Sequence, residues 1–245
     1  MWHQRAAPDS TTRDSAGDGR ALGATAAAHY PERVGQPTGH LIETERKYEA
    51  DAGFVLPDLA RLAGVAAVRP PERQRLAATY FDTAGLRLAG ARITLRRRTG
   101  GSDAGWHVKR PAGTDSRREI HFPAGRSART VPRAVAAEVA AWTGGEPLAP
   151  VARLLTTRIV LRLADPAGQV LAEVADDRVT ASRAEAGPPD GPVRWAEPMR
   201  WREIEVELAS GDRDLLDAAG KLLLAAGARR SASASKLAHV LSAGG

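Results

Sequence analysis

Eight stretches of this chain alternate polar or charged residues with apolar ones at a period of two, and the charges in them are sorted by sign. That period belongs to a β-strand, whose successive side chains point to opposite faces. The first stretch, residues 41–49, puts Glu43, Glu45, Lys47 and Glu49 on one face and Ile42, Thr44 and Tyr48 on the other. Carboxylates two positions apart on a strand lie about 7 Å from each other, close enough to share a metal ion. The lysine next in line can offset their charge or hold an anion. Taken alone, the same pattern fits an amphipathic strand with a solvated face.

The other stretches decide between these readings. Thr94, Arg96 and Arg98 oppose Ile93 and Leu95; His107 and Lys109 oppose Trp106 and Val108; Arg117, Glu119 and His121 oppose Ile120 and Phe122. Arg158 and Arg162 oppose Ile159, Leu161 and Leu163, and Glu203, Glu205 and Glu207 oppose Ile204, Val206 and Leu208. Glu173 and Asp177 share a face in residues 170–177, and residues 75–83 supply one more strand. Like charges side by side repel on an open strand. Sorted clusters are stable where they surround something that neutralises them. The acids suit hard divalent cations, Mg²⁺ or Mn²⁺, which prefer carboxylate and water oxygens. The bases suit a polyanion. A closed antiparallel barrel with its ionic faces inward brings both around one elongated, phosphate-rich ligand. Its apolar faces then point outward under helices expected at 55–65, 131–142 and 212–226. The fold class expected is α+β, a charged tunnel coated by helices.

Composition narrows the partners. The formal net charge is +6, carried mostly by arginine, which grips phosphate oxygens bidentately. Aromatic residues make up only 4% of the chain, which speaks against a binder of single-stranded nucleic acid, where bases stack on exposed rings. The absence of cysteine removes thiolate zinc sites, disulfides and a cysteine nucleophile. Gly220-Lys221 is followed by Leu222, so no phosphate-binding P-loop is present. No apolar run approaches the ~20 residues of a membrane span, and the start lacks a secretory layout. A cytoplasmic location without a membrane partner is expected. Residues 1–39, rich in Ala, Gly, Pro, Ser and Thr, cannot bury enough surface to offset their ordering entropy and are expected to be a disordered tail. No linker divides the remainder, so residues 40–245 are expected to form one domain. His107 and His121 are expected on strand surfaces, and Trp106, Trp142 and Trp201 in packing roles.

The Glu43-x-Glu45-x-Lys47 opening resembles the signature of the CYTH family, the triphosphate tunnel metalloenzymes. Further segments resemble that family in the same order: Tyr80-Phe81-Asp82-Thr83, Leu95-Arg96-Arg97-Arg98, Trp106-His107-Val108-Lys109, residues 171–177, residues 201–208 and Ser235-Lys236-Leu237. The resemblance implies an eight-stranded antiparallel tunnel and a triphosphate substrate. It further implies that Glu43, Glu45, Glu203 and Glu205 hold Mg²⁺ or Mn²⁺. Lys47, Arg96, Arg98, Lys109, Arg158 and Lys236 would grip phosphate. Asp177, and less directly Glu173, would position water or a second metal, and Lys47 is an alternative water activator. The activity implied is Mg²⁺-dependent hydrolysis of tripolyphosphate or of an organic triphosphate such as thiamine triphosphate. A non-catalytic tunnel binding polyphosphate or a nucleotide, and an adenylate cyclase of the same family, are the alternatives. Some relatives carry a C-terminal helical module called CHAD, and this chain is expected to stand without one.

Overall fold

A computed structural model describes residues 37–125, 130–185, 187 and 191–243. The tail expected over 1–39 lies outside the described residues as far as residue 36, as does part of the Pro/Gly loop near 185–192. The strands are β1 (Gly39–Ala50), β2 (Ala67–Val68), β3 (Glu72–Asp82), β4 (Thr94–Thr99), β5 (Gly105–Gly113), β6 (Ser116–Pro123), β7 (Ala149–Ala164), β8 (Val170–Arg183), β9 (Met199–Leu208) and β10 (Arg229–Arg230). The helices are α1 (Arg87–Gly90), α2 (Arg133–Ala137), α3 (Ala140–Thr143), α4 (Arg213–Ala225) and α5 (Lys236–Ser242).

The long strands pair antiparallel in the order β1-β6-β5-β4-β3-β7-β8-β9, and β9 pairs back onto β1. The sheet is therefore a closed eight-stranded antiparallel barrel, as the alternation and the family resemblance implied. β1 closes it by changing partner midway: residues 39–44 pair with β6 and residues 45–50 with β9. The β4–β5 turn depends on Gly100, at φ +79°, where an added Cβ would stand 2.0 Å from the Arg75 carbonyl oxygen.

The outward apolar residues are buried in two patches. Leu95, Trp106, Val108, Ile120 and Phe122 pack beneath Leu88, Val135 and Val139. On the other side Tyr48, Val174, Ile204 and Val206 lie under Leu215, Leu216, Ala219 and Leu223 of α4, each buried leucine contributing about 2 kcal/mol. Asp212 caps α4 by accepting a hydrogen bond from the Leu215 N–H. Gly220 lets the helix settle on β1, since a Cβ there would meet the Tyr48 hydroxyl at 2.3 Å.

Three features differ from expectation. Over 55–65 only a single 3-10 turn forms, Leu59–Arg61, because the Asp58 cap and the left-handed Gly64 leave too few residues for an α-helix. The helix over 131–142 breaks where Val139 leaves helical dihedrals at φ −116°, ψ 2° to bury its side chain in the core. The inner face is also not ionic throughout. At one end Tyr80, Ala152, Leu154, Val179 and Ala181 are apolar, and α5 packs on them through Leu237 and Val240. That packing carries Lys236, the first residue of α5, into the tunnel.

Candidate active site in the tunnel

The barrel encloses a cavity of about 560 Å³, a volume suited to a small ligand. Glu43, Glu45 and Lys47 of β1 line it, with Arg96 and Arg98 of β4, Lys109 of β5, Arg158 of β7, Glu205 of β9 and Lys236. The period of two places each of these side chains inward, because its neighbours along the strand are packed outside. Asp177 and Glu203 are buried against Lys236 rather than on the open wall.

Glu205 is the hub of one half of the tunnel. It accepts from Lys47 Nζ at 2.5 Å, from Lys236 Nζ at 2.8 Å and from Arg158 Nη2 at 2.6 Å. Arg158 also clasps Asp177 with two hydrogen bonds, at 2.8 and 2.6 Å. Lys236 Nζ meets Asp177 at 2.9 Å and Glu203 at 2.5 Å, so one ammonium touches three carboxylates. Lys47 bridges Glu205 to Glu45, which it meets at 2.9 Å. Trp201 packs against the Leu237 cluster as expected and also donates its indole N–H to Glu203 at 2.7 Å.

The other half centres on Glu119. It meets His107 Nδ1 at 2.6 Å, Lys109 at 3.7 Å and Arg96 at 3.9 Å, while Lys109 also binds Glu43. Arg96 reaches the Tyr80 hydroxyl at 3.4 Å, and Arg98 pairs with Asp103. His107 is buried in the tunnel wall, not on an open strand surface, with Nε2 at 2.9 Å from the Asp103 carbonyl oxygen. Trp106 is core as expected, whereas Trp142 is 37% exposed and packs under the Arg110 guanidinium.

The electrostatics follow from burial set against these partners. Burial opposes the charge on Lys47, but Glu205 and Glu45 outweigh it and hold the ammonium above its ordinary range. Lys47 is thus a cation and not the neutral base that water activation would need. Burial likewise opposes the charge of Glu205, and Lys236, Lys47 and Arg158 overcome it to keep the carboxylate well ionised. Asp177 is held ionised by Lys236 and Arg158 in the same way. Burial wins at Glu203, whose carboxyl is raised. It wins also at Arg98, where neighbouring Arg96 and Arg158 help to lower the guanidinium to about 9.

Glu207 stands apart, because burial and the charges of Glu43, Glu45 and Glu205 push it up to about 7 and Lys109 offsets them only partly. A carboxyl raised on folding binds its proton more tightly in the folded state. Its contribution is therefore present at acidic pH and lost as pH rises from the ordinary carboxylate range through about 7. In metal-free protein, Glu207→Gln is expected to raise stability at pH 8 by on the order of 2 kcal/mol and to change it little at pH 5. Thermal unfolding in chelator at both pH values checks this; an equal effect at the two would remove Glu207 as the cause.

All the site residues expected from sequence face the tunnel or the buried group beside it, but they fall into two networks. Glu43 lies with Lys109 and Glu119, while Glu203 and Glu205 lie with Asp177 and Lys236. Sequence reasoning did not assign Tyr80, Glu119, Arg117 or Glu207 to the site. Alternation did place the last three on the inner face; what it lacked was their neighbours. Arg117 donates only to the Arg92 and Lys109 carbonyl oxygens and makes no ion pair with a described residue, and burial lowers its guanidinium.

Among the described residues, the group with metal-ligand geometry is Asp177, Glu203 and Glu205, whose ligand oxygens lie within 4.8 Å of one another. It fits a hard divalent cation on chemical grounds, being all carboxylate and buried. Glu203 Oε1 is also buried without a directional hydrogen bond, its one contact being the Lys236 ammonium.

A charged antiparallel tunnel with a carboxylate group set among arginine and lysine side chains defines a class, the triphosphate tunnel proteins. The CYTH domain pattern matches residues 41–240, and the chain belongs to the CYTH family, whose proteins act on triphosphates with a metal. Proteins from two strains of Mycobacterium tuberculosis, neither with an assigned activity, are 42% identical over 222 residues covering 87% of this chain. The chain spans 42% of the length of those relatives. A solved structure from Bacillus halodurans, provisionally named an adenylate cyclase, shares the fold at a TM-score of 0.52 and 16% identity, over 82% of this chain and 98% of that one. No helix among the described residues is long and apolar enough to cross a membrane.

Proposed function

We propose that the tunnel hydrolyses a triphosphate in a Mg²⁺-dependent reaction, with inorganic tripolyphosphate as substrate, giving pyrophosphate and phosphate. The observation that carries this reading is the buried Asp177–Glu203–Glu205 group, which reaches through Glu205 the wall of a cavity that also presents Arg96, Arg98, Lys109, Arg117, Arg158 and Lys236. A pure anion binder has no use for buried carboxylates, which weaken its hold on phosphate. Phosphoryl transfer asks the protein for positioning and charge neutralisation more than for covalent help.

Arg96, Arg98, Lys109 and Arg117 supply cations along one wall, and Lys47, Arg158 and Lys236 along the other. Together they fix a triphosphate lengthwise and spread the charge that builds on the leaving pyrophosphate. Asp177, Glu203 and Glu205 would hold the divalent ion, with Glu45 the next carboxylate beyond Lys47 and Glu43 deeper among the cations of β5. Such an ion supplies further charge neutralisation at the phosphate oxygens. Glu45, which lines the cavity and is held ionised, is the carboxylate able to orient a water in line with the scissile P–O bond, with Asp177 acting behind it in the metal group. Tripolyphosphate is favoured over larger substrates because every assigned contact in the cavity is ionic.

The test incubates the purified chain with tripolyphosphate, thiamine triphosphate and ATP, with Mg²⁺ or with chelator, and measures phosphate, pyrophosphate and cyclic AMP. Mg²⁺-dependent release of phosphate and pyrophosphate from tripolyphosphate is expected. Absence of any metal-dependent product ends the enzyme reading, and cyclic AMP as the main product turns it to a cyclase.

A further inference from the structure

Among the described residues, the two apolar patches and their helices leave one part of the barrel exterior uncovered, the middle of the outer face of β3, β7 and β8 with the start of β9. Its composition is unusual. Arg73 and Arg75 follow each other on β3, Arg153 stands on β7, Arg178 on β8 and Arg200 on β9, all exposed. They face outward because the residues between them, Gln74 and Leu76 on β3 and Leu154 and Thr156 on β7, line the tunnel. Register gathers them. Arg75 is opposite Thr157, which is opposite Arg178, and the next row runs Ala77, Leu155, Thr180, Arg200.

Neighbouring arginines along β3 are thus about 7 Å apart, and Arg75 and Arg178 are about 10 Å apart across two strand spacings. Asp176 is the one carboxylate among the described residues on the outer face of these strands, and Arg202 neutralises it with two hydrogen bonds of 2.8 Å. Arg73, Arg75, Arg178 and Arg200 make no side-chain ion pair or hydrogen bond with any described residue, and Arg153 lies over the Trp195 ring at 4.9 Å. Like charges gathered on a solvated sheet repel and are complementary to an extended anion. Every cation of the group is arginine, whose fork matches phosphate oxygens.

The face also lacks what other polyanion-binding or protein-binding surfaces need. Trp195 is covered by Arg153, so no free ring is offered to a nucleobase. The wall of a closed barrel is too broad for a duplex groove, which admits a helix or a two-stranded ribbon. Leu155, 62% exposed, is the single wide-open apolar side chain of these strands among the described residues, short of the apolar centre of a protein interface. At the Arg73 end of β3 the rim of the tunnel is marked by Glu72 bonded to Arg162, which lines the cavity. A chain leaving the tunnel there meets Arg73 next.

We propose that this outer arginine face is a binding track for long-chain linear inorganic polyphosphate, whose end enters the tunnel. The entry of the end rests on the triphosphate reading above; the track itself does not. The test measures binding of end-labelled polyphosphate of roughly a hundred phosphates, in chelator at two salt concentrations, with tripolyphosphate and poly(U) as competitors. Two variants of the full chain are compared with the unsubstituted protein. One combines Arg73→Gln, Arg75→Gln, Arg178→Gln and Arg200→Gln. The other removes equal charge elsewhere on the exposed surface, through Arg61→Gln, Arg118→Gln, Arg133→Gln and Lys221→Gln.

The face variant is expected to lose at least tenfold in affinity and to show a shallower salt dependence, since it forms fewer phosphate contacts. The control variant is expected to lose less than threefold, and tripolyphosphate turnover is expected to be the same in both. Equal weakening of the two variants overturns the track, as does poly(U) competing as well as polyphosphate. If the face variant loses long-chain binding while no triphosphate is turned over, the track stands and the tunnel reading falls. If turnover persists and the face variant binds like the unsubstituted chain, the track falls alone.

Discussion

Replacing Glu205 by Gln is expected to lower kcat for tripolyphosphate by about a thousandfold, the loss of roughly 4 kcal/mol of transition-state stabilisation. Glu205 is the one carboxylate that touches Lys47, Arg158 and Lys236 together, at 2.5, 2.6 and 2.8 Å. The amide keeps the shape and can still accept from one of these cations, but it removes the charge that sets all three in register. It also takes one of three ligands from the candidate metal group. The damage should fall on kcat and on metal affinity together, with the fold retained. Initial rates at saturating substrate, alongside Mn²⁺ titration calorimetry, check this. A loss of less than tenfold at saturating Mg²⁺ would place the chemistry elsewhere in the tunnel.

Lys236→Met is the second large effect, and its sign depends on metal. In chelator the substitution leaves Asp177, Glu203 and Glu205 buried together without the ammonium that meets all three. Breaking a buried ion pair from one side costs about 3–5 kcal/mol, and here Arg158 and Lys47 remain to limit the damage. A divalent cation held by the same carboxylates should restore most of that stability. Adding Mg²⁺ is therefore expected to raise the melting temperature of the variant by more than it raises that of the unsubstituted protein. The deficit in chelator should also shrink at low pH, as protonation relieves the crowded acids, starting with Glu203, whose carboxyl burial already raises. An equal Mg²⁺ response in both proteins would show that the ion binds away from this group.

Much of the site could be read from side-chain alternation because burial enforces it. Thr94, Arg96 and Arg98 face inward for the reason that Leu95 and Ile93 must face outward, and the same holds for Glu203 and Glu205 about Ile204. Alternation says nothing of register, however. That Asp177 sits opposite Glu203, and so joins Glu205 at Lys236, is set by the β8–β9 pairing. For the same reason Glu43 could be placed inside but not assigned to Lys109 and Glu119, which reach it across β6 and β5. Nor could α5 be read as an occupant of the barrel, since Leu237 and Val240 would suit an outer coat equally well. Lys47 cannot be the neutral water activator because Glu205, on a strand distant in the chain, joins its strand neighbour Glu45 in holding the ammonium charged.

The divided pairing of β1 also bears on how the chain reaches this state. Its second half waits for β9, and Lys47 and Glu205, which then join, are 158 residues apart. At a synthesis rate of about 5–20 residues per second, that half-strand spends roughly 10–30 s on the ribosome with no partner. An unpaired edge is an invitation to pair with other chains, and inward-pointing charges are among the devices that discourage it. Glu45, Lys47 and Glu49 sit on that waiting half. Before they face any ligand, the charges of the tunnel wall are thus placed to discourage pairing of the nascent edge, and an apolar replacement there is expected to lower yield as well as function.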